Sequence, residues 1–211
     1  MRPRSLFLPT PALVLTLTNQ TIRTEKEKFQ MGKAQALIDE PVKQFIEKQT
    51  MFFVATAPLD PNGMVNLSPK GLDSIRILAP DTIAYLDLTG SGVETISHVK
   101  ENGRLVIMFC AFEGPPKILR LHGRARVVEA NEPEFASLIG HFKPIEGMRA
   151  IIVMKIQRVA DSCGWAVPVL KFEKDRQQLL AWANQKGPDG LKQYRAEKNA
   201  ASLDGLAGLA P

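Results

Sequence analysis

Val65-Asn66-Leu67-Ser68-Pro69-Lys70-Gly71 is a strand-like run that closes on a polar, turn-prone tip. A second tip follows at Leu88-Thr89-Gly90-Ser91-Gly92-Val93-Glu94-Thr95. Each sets hydroxyls and backbone N–H groups, and once a lysine, at the end of a β-strand. Two such tips suit one phosphate and one flat heteroaromatic ring better than a metal ion or a nucleophile. A flavin site is therefore the leading expectation.

Outward from these tips the pattern is of strands with helices inserted between them. Met51 to Ala57 is apolar and β-branched, meets the turn cluster Pro58-Leu59-Asp60-Pro61-Asn62-Gly63, and pairs with Met64 to Ser68 as a hairpin. Ile83 to Leu88, Leu105 to Phe112, Ile118 to Val128 and Ala150 to Ala160 read as further strands. In Ile118–Val128, Leu119, Leu121, Gly123, Ala125 and Val127 alternate with Arg120, His122, Arg124 and Arg126, giving one buried and one basic face. Helices are predicted over 39–49, where Asp39 and Pro41 mark a start, over 93–102, closed by Asn102-Gly103, and over 132–141. Two more, 175–186 and 191–199, flank Gly187-Pro188-Asp189-Gly190. Six strands joined mostly by hairpins predict a mainly β protein, a six-stranded antiparallel split barrel with added helices.

Composition narrows the function classes. Hydrophobic residues make up 45% and charged residues 23%, ordinary globular values. The net charge is +5, but residues 1–33 hold six cations (Arg2, Arg4, Arg23, Lys26, Lys28, Lys33) against Glu25 and Glu27. The remainder is near neutral, so no phosphate-backbone footprint is expected and nucleic acid is excluded as a partner. No apolar run reaches the ~18 residues of a spanning helix, so no membrane role is expected. Cys110 and Cys163 show no CxxC spacing, and His98, His122 and His141 form no paired-ligand pattern, so no metal is expected. Two reduced cysteines fit a cytoplasmic protein. Residues 1–30 read as a poorly ordered extension, with Met31-Gly32-Lys33 as a second candidate start and a weak targeting presequence as the alternative. The expected organisation is that extension, a barrel domain over 31–170, and a helical tail over 171–211.

Phe52-Phe53-Val54-Ala55-Thr56-Ala57, Val65 to Gly71, Tyr85 to Gly92, Glu101 to Leu105, Met108 to Gly114 and Ser202-Leu203-Asp204-Gly205-Leu206 together resemble the flavin-binding split-barrel proteins related to pyridoxamine 5'-phosphate oxidase. The tail is similar to the ending of an uncharacterised branch of that family. The resemblance implies a homodimer with FMN in a groove between subunits. It places Asn66, Leu67, Ser68, Pro69, Lys70 and Gly71 along the ring and ribityl chain, and Leu88 and Thr89 on the next flavin-contacting strand. Ser91 and Thr95 would face the phosphate at a helix N-terminus, and Trp165 would reach the flavin of the partner subunit.

Two departures qualify the likeness. Glu94-Thr95 stands where the family oxidase has an Arg-Lys pair, so phosphate binding would rest on hydroxyls, backbone and Lys70 or Arg124. The oxidase's C-terminal block of a tryptophan with spaced Arg, His and Arg has no counterpart in Lys171 to Trp182, so vitamin B6 oxidation is not implied. The expected activity is hydride or electron transfer through flavin, with no residue standing out as a general base. Alternatives on the same fold are a flavin- or heme-binding protein without turnover (His98 or His122 being the axial candidates), a deazaflavin F420-dependent reductase, and a dimer that has lost its cofactor.

Overall fold

The computed structural model describes residues 35–210; the expected extension, and the first residues of the expected barrel domain, lie outside the described residues. Helix α1 (Glu40–Glu47) begins where Asp39 accepts a hydrogen bond from the Val42 N–H at 3.0 Å, with Pro41 in the first turn needing no partner for its nitrogen. It buries Val42 and Ile46. The strands are β1 (Phe52–Thr56), β2 (Asn66–Lys70), β3 (Ile75–Ala79), β4 (Thr82–Leu88), β5 (Arg104–Cys110), β6 (Ile118–Glu129) and β7 (Met148–Ser162). The remaining helices are α2 (Glu94–Asn102), α3 (Phe135–Ile139) and α4 (Gln178–Lys198).

All seven strands belong to one antiparallel sheet, ordered β2-β1-β5-β6-β7-β4-β3. The expected six is therefore one short. The missing strand is β3, an edge strand whose residues are all half-buried and show no alternation. The 132–141 helix shrinks to Phe135–Ile139, the flanks forming turns. The two tail helices meet as one element broken at Gly187, whose φ of 65° and ψ of 177° interrupt the helix just before Pro188.

The sheet is rolled. In strand order β1 and β4 are separated by β5, β6 and β7, yet the Phe52 and Tyr85 rings meet edge to face at 5.5 Å. No ladder joins the two edges β2 and β3 among the described residues, so the roll stays split. Val54, Ile83, Tyr85, Ile107, Leu121, Ile152 and Met154 fill the concave side and are inaccessible to solvent. On the convex side α3 and the following turn cover Leu86, Val128, Ile151 and Val153 with Leu138 and Phe142. That two-sided cover is why β7 reads as a nearly continuous apolar run rather than an alternating one.

After α4 the chain makes a narrow hairpin over 199–209. Ser202 N–H donates to the Leu206 carbonyl and Leu209 N–H to that of Asn199, both at 2.9 Å, with Gly205 at its turn in the left-handed region. It is pinned to α2 and to the β1–β2 turn. Lys100 donates to the Gly208 carbonyl, and the Met64 N–H donates to Asp204 at 2.9 Å.

The β6–β7 ladder shifts register opposite His122/Gly123, where Gln157 is the extra, unpaired residue of a bulge in β7. A Cβ at Gly123 would lie 2.2 Å from the Lys155 carbonyl oxygen of β7. Gly123→Ala is expected to cost about 1–3 kcal/mol, read by urea unfolding. An unchanged midpoint would show that β6 and β7 can part there freely.

Candidate functional site

Strand β2 breaks the usual rule for a half-buried strand. Its half-buried row is polar (Asn66, Ser68, Lys70), whereas Leu67, 64% exposed, and Pro69 face outward. The hairpin register sets this by pairing Asn66, Ser68 and Lys70 with Thr56, Val54 and Phe52, the inward residues of β1. A polar row turned toward a groove is the informative departure.

The row is bonded into a network. Ser68 Oγ donates to Asn66 Oδ1 at 3.0 Å, and Asn66 Nδ2 donates to Thr95 Oγ1 at 2.9 Å and to Thr56 Oγ1 at 3.0 Å. Thr56 Oγ1 in turn lies 3.0 Å from His98 Nδ1. Having accepted from Asn66, the Thr56 hydroxyl can donate to Nδ1, which leaves the ring proton on Nε2, 4.0 Å from Asp204 Oδ2. His98 is fully buried, and burial holds its pKa below the usual value against the raising pull of Asp204, Glu101 and Glu94. It is a neutral, fully buried brace between β1 and the tail.

At the far end of the row, Lys70 Nζ meets Asp87 Oδ1 at 2.9 Å. Asp87, with no exposed surface, also receives Arg149 Nε at 2.7 Å. Burial alone would raise the Asp87 pKa. The charges and hydrogen bonds of Lys70 and Arg149 outweigh it, and the carboxyl stays below its ordinary value. Beside them the Tyr85 hydroxyl is buried without a hydrogen-bond partner among the described residues. Burial, and then Asp87, push its pKa well up, so it stays protonated.

Arg149 also shapes the second tip. Its Nη2 donates to the Gly92 carbonyl at 2.8 Å and its Nη1 to Asn199 Oδ1 at 2.8 Å, while Asn199 Nδ2 donates to the Gly90 carbonyl at 2.9 Å. A trans peptide points its C=O and N–H in opposite directions. Carbonyls of Gly90 and Gly92 drawn toward Arg149 and Asn199 therefore turn the Ser91 and Val93 N–H groups the other way, beside the start of α2. The Glu94 carboxylate sits at that helix start too, within reach of the Leu203 N–H at 3.3 Å.

The structure thus brings Asn66, Ser68 and Thr95 together and ties Lys70 to β4. Ser91 is exposed at the second tip, and Gly71 forms the turn whose carbonyl accepts from Ser74 Oγ at 2.8 Å. Thr89 is turned away: its hydroxyl donates to the Gly147 carbonyl at 2.7 Å and accepts from Arg195 Nε at 2.9 Å, bracing the β4–β7 end. Leu88 packs into the convex cluster. Trp165, 72% exposed, follows the Ser162 end of β7, whereas the second tip adjoins the Met148 end, so one chain does not unite them. Arg124 donates to the Asn102 carbonyl, Arg120 to Ser162, and Arg126 pairs with Glu134. Arg149, Arg195 and Asn199 escaped sequence reasoning. Their only signal there is a cation at the mouth of β7 and an asparagine ending the last helix.

Among the described residues no cluster of three His, Cys, Asp or Glu could hold a metal, and no helix is long and apolar enough to cross a membrane. With this geometry in hand, residues 38–163 match the family described as pyridoxamine 5'-phosphate oxidase. The chain is 38% identical over 189 residues to the pyridoxamine 5'-phosphate oxidase family protein ustO of Aspergillus flavus, covering 82% of this chain and 76% of that protein. The chain belongs to the pyridoxamine 5'-phosphate oxidase family. Among solved structures it is similar to HupZ of Group A Streptococcus (22% identity, TM-score 0.47, 60% of this chain and 94% of that one). It is also similar to an FMN-binding protein of Syntrophomonas wolfei (16% identity, TM-score 0.40, 72% and 98%). Similarity at that level is silent on ligands, which must be argued from the residues.

Two outcomes follow. Asp87→Ala leaves the buried Arg149 and the half-buried Lys70 without their shared carboxylate and is expected to lose about 3–5 kcal/mol in chemical denaturation; a loss under about 1 kcal/mol would deny the strut its role. The second concerns pH. The depressed folded pKa of His98 means the unfolded chain binds the extra proton more readily, so this contribution is complete above about pH 6.5 and is lost as pH falls through the folded value. Melting temperature should drop from pH 7 to pH 5, and His98→Gln should flatten that drop more than His122→Gln. Equal slopes in all three proteins would contradict the assignment.

Proposed function

We propose that this chain is a flavoprotein that binds FMN in the groove between the two tips and serves as an oxidoreductase on a small molecule. The observation that carries the reading is the inward polar row of β2 facing a second tip whose amides are aimed from behind, in a chain of this family. Asn66 and Ser68 are placed to meet the polar edge of a flavin, and Lys70, 22% exposed at its side chain, keeps donors beyond the one given to Asp87. Ser91 and the Ser91 and Val93 N–H groups suit a phosphate at the start of α2. Thr95 acts through Asn66, which it holds in place.

When bound, the flavin supplies hydride or electron transfer at its N5. The chain binds it, orients it, and with Lys70 offers positive charge to the ring edge, where reduction adds negative charge. The remaining face of the groove falls to a second copy. Trp165, Leu67 and Val65 are exposed apolar residues suited to a homodimer interface, with Trp165 reaching the other subunit's groove. Two free thiols, Cys110 and Cys163, fit a cytoplasmic setting.

Glu94 favours a second reading, a family member that has lost its cofactor, since a carboxylate at the helix start repels phosphate. Titration of FMN against protein fluorescence separates the two. Saturable binding is expected, weakened about tenfold or more by Lys70→Ala and by Asn199→Ala, and strengthened by Glu94→Gln. Undiminished affinity in both of the first two variants would refute the assigned orientation, and absence of binding in all four proteins would favour the cofactorless reading.

A further inference from the structure

We propose that a cleft on the reverse side of the second tip is a separate site for a small organic anion, a carboxylate or phosphate carried on an apolar body. The cleft, about 880 Å³, lies between the last turns of α4, the β6 end and the tail hairpin, and its size suits a small molecule. Four cations line it, Lys100, Arg149, Lys192 and Arg195, against one carboxylate, Glu129.

Charge accounting shows why the cleft wants an anion. Glu129 is already engaged by Lys100 Nζ at 2.5 Å and by the Ala210 N–H at 3.0 Å. Asp87 is shared between Lys70 and Arg149. Among the described residues lining the cleft, no acidic group remains for Arg195. Its Nε goes to the Thr89 hydroxyl and its Nη2 to the Met148 carbonyl, both neutral and both at 2.9 Å, and no described residue accepts from its Nη1. Burial and the neighbouring Arg149 both disfavour its charge. A half-buried guanidinium beside another guanidinium, held only by neutral oxygens, is compensated when an anion occupies the space in front of it.

The walls fix the rest of the ligand. Ala196, Ala200, Ala207 and Leu209 offer short apolar surface, so the body behind the anionic group is apolar rather than sugar-like. Arg149 stands between the two sites: its Nη2 holds the second tip from behind, while its side chain also lines the cleft. The cleft therefore does not draw on the flavin residues Asn66, Ser68, Lys70 or Ser91.

The test is calorimetric titration of the full chain, as purified, with 2-naphthoate, 1-naphthyl phosphate and the neutral 2-naphthamide. Either anion should bind at one site, with the amide weaker by about tenfold or more. Lys192→Glu, at the exposed rim, should weaken the anion about fivefold or more, and Ala196→Phe should abolish binding, while both variants keep wild-type FMN affinity. Equal binding of amide and anions, binding unchanged in both variants, or no binding of either anion would overturn the proposal. Apart from the FMN control, which applies only if FMN binds, these readouts do not require flavin, so failure here is separate from failure of the flavin reading.

Discussion

The Asp87 carboxylate, shut away from water and gripped by Lys70 on one side and Arg149 on the other, is the constraint from which the rest follows. Burying a carboxylate is costly, and here two opposed cations overcome the cost, keeping the group ionised. The position matters as much as the charge. Lys70 ends β2, Asp87 lies in β4 and Arg149 begins β7, so one carboxylate spans the split in a sheet whose two edges share no ladder among the described residues. The ion triad and the Phe52–Tyr85 ring contact hold together what backbone hydrogen bonding leaves open.

The same triad connects the groove to the end of the chain. Arg149 and Asn199 divide the carbonyls of Gly90 and Gly92 between them, and that division decides which way the second tip presents its amides. Asp204, further along the tail, reaches the β1–β2 turn and stands beyond His98. The tail hairpin is therefore part of the scaffold behind both tips. This chain sets the cation Arg149 behind the second tip, so that the loop turns backbone toward the groove.

Much of this was legible in the sequence because it rests on local pattern. The β1–β2 hairpin was announced by Pro58 to Gly63, the end of α2 by Asn102-Gly103, and β6 by its strict alternation as far as Val127. β3 was not, because Ile75-Arg76-Ile77-Leu78-Ala79 is half-buried throughout and follows neither period. Asn66, Ser68 and Thr95 were singled out as hydroxyl and amide groups near a tip, and the structure joins them. Arg149 and Asn199 were hidden for a different reason. Their partners lie 50 or more positions away, and nothing in the flanking residues of a strand start or a helix end marks a long-range bond. The bracing role of Thr89 was hidden as well, since at the end of β4 a side chain can face groove or brace, and only the β7 register decides.

Hydrogen–deuterium exchange with and without FMN tests most directly whether the two tips hold one ligand together. The account predicts that amides over 66–71 and over 91–95 slow together and reach half-protection at the same FMN concentration. Exchange unchanged at both tips, or protection confined to the cleft beside Arg195, would contradict it.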